Sequence, residues 1–386
     1  MQIALRVLHI LPSLRPDGGE RIAVYVASRI DRRRFEPAVV SVSAPVGSDL
    51  ESALADAGVK VWYFGKGPGF DWRTYSKMQQ VFREFQPDIV HTHMQVFRYV
   101  FPSLLLRKPR LMLHTVQNVA DHELEWRGRV LQRLGYRFGV KPIAVAQEVA
   151  KSVERVYGIR NCEVIWNAVP TDHYGSPQIS REDWRARHGF AQDDVLFVCV
   201  ARFFPQKNHP LLLQAFARGP AADPRARLLL VGTGPLVPQA QAEAQRLRIT
   251  EKVHFLGLRS DIPDLLAAMD AFVLSSDWEG APVALAEAMA AGLPVIATAV
   301  GGVAESFQNQ KEGFLVQPGD AAGIANGMMT LLHSAELRRS MGAAAAVRAR
   351  EQSDVGKMVR AYEDLYERAL APAYAPAAAS ANPDPQ

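Results

Sequence analysis

Two α/β units in tandem, each built on a parallel sheet, are what this sequence predicts. Three observations point that way. Short β-branched runs alternate with amphipathic stretches long enough for crossover helices, the periodicity weakens once between residues 167 and 194, and a second alternating series begins directly afterwards. Strands that alternate with helices in this way form parallel sheets covered on both faces. With 386 residues the chain has material for two cores of ordinary size.

The first series opens with a strand at residues 6–11, a loop carrying Pro12, Asp17, Gly18 and Gly19, and a helix from about Glu20. Further strands are expected at 38–42, 59–64, 88–92, 111–116 and 143–146. From Asn167 the chain turns rich in Pro, Asp, His, Gly and Ser, which reads as an inter-domain linker. The second series has strands at 195–200, 227–231, 253–256, 271–275 and 294–298, and nearly continuous helix from Asp320 to Leu370. The expectation is thus two Rossmann-like domains, 1–170 and 171–355, facing across a cleft. A helix at 356–370 is free to cross back to the first domain, and a tail at 371–386 of Ala, Pro, Ser and Asn cannot form a core. Ligands of open α/β sheets sit beyond the carboxyl ends of the strands, so function is expected in the cleft.

Composition narrows the class. Hydrophobic residues at 48% with 22% charged describe a globular chain rather than a disordered one. Cys162 and Cys199 stand apart in apolar surroundings, which suits a reducing compartment and excludes a disulfide scaffold. Arg6 and His9 interrupt the first apolar run and Pro12 ends it, so no secretory leader is expected. No run of about 18 apolar residues suggests a membrane span. A cytoplasmic protein follows, with any membrane contact peripheral. The net charge of +4 is unevenly divided: residues 1–170 hold 24 Lys/Arg against 16 Asp/Glu, the remainder 20 against 24. An anionic partner is expected on the N-terminal half, a phospholipid surface, a phosphorylated acceptor or nucleic acid, with a plainly solvated basic face as the alternative. Nucleic acid is the weakest of these and is not expected, since no zinc-finger spacing or RNA-binding aromatic signature accompanies the charge.

The densest polar constellation is Ser275-Ser276-Asp277-Trp278-Glu279-Gly280-Ala281-Pro282, followed by an Ala-rich stretch with Glu287 and closed by Gly292. A strand ends at Ser275, Pro282 suits the first turn of a helix, and Gly292 suits its stop. Glu279 then lies in the loop and Glu287 on the early helix. Free amides at the helix start, around Val283 and Ala284, are suited to phosphate, and carboxylates to sugar or ribose hydroxyls. Singly, either glutamate reads equally well as a surface charge. A second constellation, Arg202-Phe203-Phe204-Pro205-Gln206-Lys207-Asn208, follows the first strand of the second domain and sets two cations where a diphosphate leaving group needs neutralising.

Taken together, Glu279-x7-Glu287, the Arg202…Lys207-Asn208 loop, Gly232-Thr233-Gly234-Pro235, Gly301-Gly302-x-x-Glu305, the Gly18-Gly19 loop and His91-Thr92-His93 resemble glycosyltransferase family 4 over residues 1 to about 370. The resemblance implies a GT-B fold and retaining transfer from a nucleotide-diphosphate sugar, UDP before GDP, without cofactor or essential metal. It implies that Arg202 and Lys207 bind the donor diphosphate, Glu279 and Gly280 meet the donor sugar, Val283 and Ala284 the phosphate, Glu287 the ribose, and backbone near Arg259 the base. Glu279, Lys207, Arg202 and His93 are the expected catalytic set. Gly18, Gly19 and Gln117 are expected to form the acceptor or phosphate loop, the glycines because the missing Cβ permits close approach. Two departures stand out: Gln117 occupies a position where many members have His, and Thr233 one where an acidic residue is common. Gln117 cannot titrate, but it hydrogen-bonds. His-x-His at 91–93 is not expected to bind metal without a third ligand.

Between Trp126 and Gly139, Trp126, Val130, Leu134 and Phe138 fall on one helical face among Arg127, Arg129, Arg133 and Arg137, and Arg107, Lys108 and Arg110 add charge nearby. Such a helix lies on an anionic membrane or packs on the sheet. The expected function is transfer of a hexose or N-acetylhexosamine to a glycan or lipid-linked acceptor. Rivals are a sugar-nucleotide epimerase on the same architecture and a catalytically silent sugar-nucleotide-binding subunit.

Overall fold

A computed structural model describes residues 4–370, except 68 and 70. The tail expected at 371–386 lies outside the described residues.

The N-terminal sheet has seven parallel strands, β1 Leu5–Leu11, β2 Phe35–Ser41, β3 Lys60–Tyr63, β4 Ile89–His93, β5 Leu111–Val116, β6 Lys141–Ala144 and β7 Glu163–Val164, in the order β3-β2-β1-β4-β5-β6-β7. The C-terminal sheet has six, β8 Val195–Val200, β9 Ala226–Val231, β10 Val253–Gly257, β11 Ala271–Leu274, β12 Val295–Thr298 and β13 Gly313–Val316, in the order β10-β9-β8-β11-β12-β13. Runs such as Val195-Leu196-Phe197-Val198-Cys199 are apolar throughout because a parallel strand is buried on both faces, and all five are. The order in which strands are added reverses between β1 and β4 and again between β8 and β11, while all strands stay parallel. These are the two topological switch points, where adjacent loops leave in opposite directions and open a crevice. β8 and β11 share only two register pairs, Ala271 with Phe197 and Phe272 with Val198, so the two strands part early on their way to the loops that follow them.

Three expectations change. The first helix is Gly18–Arg29, which brings both glycines inside its first turn instead of ahead of it. The helical stretch after Asp320 is three helices, Ala321–His333, Ala335–Gln352 and Val355–Leu370. Ser334 caps the second of them by accepting from the Leu337 amide at 3.1 Å, and the chain changes direction at Ser353. The segment at 167–194 is packed protein rather than a loose tether. In it Arg185 is fully buried and donates to Asp270 at 2.6 Å, to the Ala268 carbonyl at 2.9 Å and to the Asp194 carbonyl at 2.9 Å, while Trp184 stacks on His188.

The helix Val355–Leu370 packs against the helix Gly18–Arg29 and covers the N-terminal sheet. Glu363 accepts from the Asp31 amide at 2.8 Å and from Arg34 at 3.1 Å, and the Tyr366 hydroxyl meets His91 Nδ1 at 2.8 Å. The chain therefore passes between the sheets twice, near Val169 and near Asp354, and the two passages are tied: Val169 N donates to Ser353 O at 2.9 Å and Val355 N to Val169 O at 3.0 Å.

Candidate active site

The loops that leave β8 and β11 lie on either side of the C-terminal switch point, and they carry Lys207 and Glu279. Lys207 and Glu279 form an ion pair, both shielded from solvent. The glutamate is held from all sides. Ser276 donates to its Oε1 at 2.7 Å and Gln206 to its Oε2 at 3.2 Å, and Gln206 also donates to the Trp278 carbonyl at 2.8 Å. The two loops are further stitched by Asn208 to Asp277 at 2.8 Å and by Ser275 Oγ to the Lys207 carbonyl at 2.9 Å. Asn208 has φ +44, which suits a residue able to hydrogen-bond locally, and its side chain caps the helix His209–Ala217. A carboxylate and an ammonium fixed this firmly need little reorganisation when a ligand charge arrives.

Gly280 brings the N-terminal sheet into the site. A Cβ there would stand 2.1 Å from the Gln117 carbonyl oxygen, so the loop after β11 and the loop after β5 touch through backbone. A Cβ on Gly301 would stand 1.8 Å from the Glu279 carbonyl oxygen, and Gly302 N donates to Gly280 O at 2.7 Å. These glycines are required by close approach of backbone to backbone. Asn167 bridges the same seam, donating to Gln117 Oε1 at 3.1 Å and to the Ala281 carbonyl at 2.9 Å, and His122 stacks on Trp278 at 4.5 Å.

Two helix N-termini converge beside this seam. The helix Val283–Ala290 follows Pro282, which is its N-cap rather than part of its first turn, and its first amides lack intrahelical partners by position. A Cβ on Gly18, the first residue of the helix Gly18–Arg29, would lie 3.2 Å from Val283 Cγ2, while one on Gly19 would lie 2.9 Å from Met94 Sδ and 3.5 Å from Gln117 Cγ. Two positive dipole ends thus face one another. Arg202 stands near, half exposed, over the Phe204 ring at 4.9 Å and 3.5 Å from Asp17. Glu287 lies one turn into the Val283–Ala290 helix and accepts from the Tyr174 hydroxyl at 2.6 Å; burial raises its pKa, with that hydrogen bond and the Arg21 charge acting against it.

Not all expected residues join. His93 is sealed inside the sheet, not presented to the cleft: it is 1% exposed, and its Nε2 lies 3.1 Å from His9 Nδ1. Burial holds it well below the usual imidazole pKa, so it stays neutral. His9 is also the third imidazole that the His-x-His reading lacked, since ligand atoms of His9, His91 and His93 all lie within 4.8 Å. His91 is already engaged on both nitrogens, by Tyr366 and by Thr115 at 2.7 Å. Arg259 commits its guanidinium to Asp261 at 2.6 Å and to His188 at 3.1 Å, leaving only its backbone for a base.

Sequence reasoning missed four groups that adjoin the candidate site. Ser276 and Gln206 sit within the two polar constellations but carry no signal of their own. Glu20 is buried beside Ser13, and burial, then the Asp17 charge, push its pKa up to about 7. Glu123 is buried, its Oε1 accepting from Gln117 N at 3.2 Å, and burial raises it to about 8. The Gly301-Gly302-x-x-Glu305 motif also does something unforeseen. Glu305 accepts from Gln147 N at 3.0 Å and Glu148 N at 2.7 Å, capping the helix Gln147–Tyr157 that belongs to the other sheet.

A family model described as Glycosyltransferase Family 4 matches residues 16–173, and one described as Glycosyl transferases group 1 matches residues 180–348. The chain belongs to glycosyltransferase family 4. Among relatives of this glycosyltransferase, the N-acetyl-alpha-D-glucosaminyl L-malate synthase of Bacillus anthracis is 29% identical over 361 residues, covering 85% of this chain and 94% of its own. The UDP-Gal:alpha-D-GlcNAc-diphosphoundecaprenol alpha-1,3-galactosyltransferase of Escherichia coli is 32% identical over 171 residues, 43% of this chain and 44% of its own. Of solved structures, Anabaena HepE in complex with UDP and glucose superposes with a TM-score of 0.84 at 21% identity, covering 94% of this chain and 100% of that one. WaaG, a glycosyltransferase involved in lipopolysaccharide biosynthesis, gives 0.75 at 22% identity over 93% and 99%. The fold of the glycosyltransferase is therefore GT-B.

Proposed function

We propose that this glycosyltransferase moves a hexose or N-acetylhexosamine from a UDP sugar, with GDP sugars second, to a glycan or lipid-linked acceptor in polysaccharide or glycoconjugate synthesis, with retention at the anomeric carbon. One observation carries the reading: two helix N-termini, the Lys207–Glu279 pair and Arg202 converge where loops of both sheets meet. That set suits a diphosphate flanked by a sugar. Glu279 receives donor-sugar hydroxyls and Glu287 the ribose hydroxyls. The acceptor hydroxyl attacks on the face from which the nucleoside diphosphate departs, and the departing phosphate takes its proton. Arg202, Lys207 and the helix amides stabilise the charge that develops on the leaving group. The names of relatives that act on UDP-galactose or were solved with UDP support the choice of nucleotide.

Protein cations supply the neutralisation, so no essential metal is proposed, and a chelator leaves turnover unchanged; loss of turnover that added magnesium restores would overturn this. The deciding experiment is thermal stabilisation by a panel of UDP, GDP and ADP sugars. A ligand at a hundred times its Kd stabilises by about 2.7 kcal/mol. No shift with any of them would sink the donor site, and inverted product stereochemistry by NMR would sink retention.

The acceptor is proposed to be met at the inner face of a membrane. Among the described residues no helix is long and apolar enough to cross one. The helix Trp126–Arg137, however, does not bury its apolar stripe on the sheet: Trp126 is 68% exposed, and Val130, Leu134 and Phe138 are exposed with it. Leu105 and Leu106 continue the patch, and Arg107, Lys108, Arg110, Arg127 and Arg137 surround it. A basic rim around aromatic and aliphatic side chains matches an anionic bilayer surface.

A further inference from the structure

A cavity of about 460 Å³ lies at the carboxyl ends of β1 to β4, beside the proposed donor site and apart from its residues. It is within the ~300–1,000 Å³ range of small-molecule sites. Its walls come from four separate loops, and three of them bring a cation: Arg15 after β1, Lys66 after β3 and Arg98 after β4. Among the described residues none of the three has a carboxylate within ion-pair distance, although buried Arg185 and many more exposed arginines of this chain do.

Tyr99 organises two of these charges. The Arg98 guanidinium lies 4.9 Å from its ring centroid and the Lys66 ammonium 5.4 Å, and Lys66 also donates to the Gly67 carbonyl at 2.8 Å. Cations held against an aromatic ring keep their place without being neutralised. Ser13, Ser43 and Gln95 add neutral hydrogen-bonding groups to the lining. Asp17 is the lining carboxylate, and it faces Arg202 at 3.5 Å, so the cavity adjoins the donor site through one residue. Gly18 and Gly19 follow directly, against Val283 and Gln117.

We propose that this cavity binds the phosphate of the acceptor: the sugar that receives the donor residue carries a phosphate or diphosphate ester, held by Arg15, Lys66 and Arg98, with its attacking hydroxyl directed past Asp17 toward Glu279. Three cations against one already engaged carboxylate favour a dianionic group over a single carboxylate. The proposal rests on the reading of the cleft as a glycosyl-transfer site and names the class of its second substrate. Its chemistry is shared by a soluble sugar phosphate and by a sugar diphosphate carried on a lipid.

The test uses the full chain saturated with UDP, so that the donor site is filled, and inorganic pyrophosphate as the probe in a calorimetric titration. A second binding event is expected, weakened at least tenfold in the double variant Lys66→Gln, Arg98→Gln, whose UDP affinity stays at the wild-type value. Absence of pyrophosphate binding to the UDP-loaded protein, or binding of equal strength in the variant, overturns the proposal. Failure of UDP to bind the wild type would instead overturn the donor reading, and the pyrophosphate difference between wild type and variant remains measurable then. Transfer assays with N-acetylglucosamine 1-phosphate and with lipid-diphosphate-linked N-acetylglucosamine separate the two sources. The variant is expected to raise KM for whichever is used at least tenfold with kcat nearly unchanged, and an unchanged KM counts against the site.

Discussion

Lys207 is the residue on which the proposed chemistry depends most. Its ammonium is paired with Glu279, and under the proposed mechanism it faces the departing phosphate, so Lys207→Ala is expected to lose about 3 kcal/mol of transition-state stabilisation, about a hundredfold in kcat. A steady-state assay that finds kcat unchanged removes Lys207 from the mechanism. Gly280 makes a different demand, because any side chain there collides with the Gln117 carbonyl oxygen. Gly280→Ala is expected to cost about 1–3 kcal/mol of stability and to lower turnover by displacing Glu279. A variant with wild-type melting temperature and kcat would show that the two loops part easily. Lys207 and Glu279 were legible in the sequence because each follows a strand beside a switch point. The partners of Glu287 were not, since Tyr174 is 113 positions away and nothing local marks it. His93 looked available because it ends a strand; that the strand end is roofed by other chain is a tertiary fact no local pattern carries.

Among elements, the helix Gln147–Tyr157 has no capping side chain of its own at Ala146 and takes Glu305 from the other sheet instead. Glu305→Ala leaves two amides without that acceptor and is expected to cost about 1 kcal/mol, read as a lower melting temperature. An unaltered melting temperature would mean that water replaces the cap without loss. The helix Trp126–Arg137 is tested by the double variant Trp126→Ser, Phe138→Ser, expected to bind vesicles with 30% anionic lipid at least tenfold more weakly while UDP binding is retained (order of magnitude from apolar area withdrawn from the interface). Equal vesicle binding would return that stripe to another role. Most strands could be placed from sequence to within a residue or two, since a run buried on both faces announces itself. β7 escaped because it is two residues long and begins with Glu163, and β13 because it begins with Gly313. The three helices after Asp320 merged into one because the break at Ser334 is a cap, not a Pro or Gly.

For the whole molecule, buried titratable groups shape stability against pH from both sides. His9 and His114 are lowered by burial to about 3, and His91 and His93 are lowered as well, so the native state holds these rings neutral while the unfolded chain protonates them below about 6.5. Their contribution is present above about 6.5 and is lost as pH falls toward 3. Glu123, raised to about 8, acts oppositely: it destabilises progressively as pH rises from about 4.5 to 8. Glu123→Gln is therefore expected to gain stability relative to the wild type over that interval and to hold a constant difference above it. A difference in melting temperature independent of pH would show that Glu123 ionises freely.

The double passage of the chain has a consequence for how the protein is made. The C-terminal sheet is an insert within the N-terminal unit, since the helix that covers His91 and Thr115 is translated after every strand of that insert. The C-terminal lobe can close on itself as it leaves the ribosome. The first lobe to be synthesised is the last to be finished, waiting with polar groups of its sheet uncovered until residue 366 arrives to roof them.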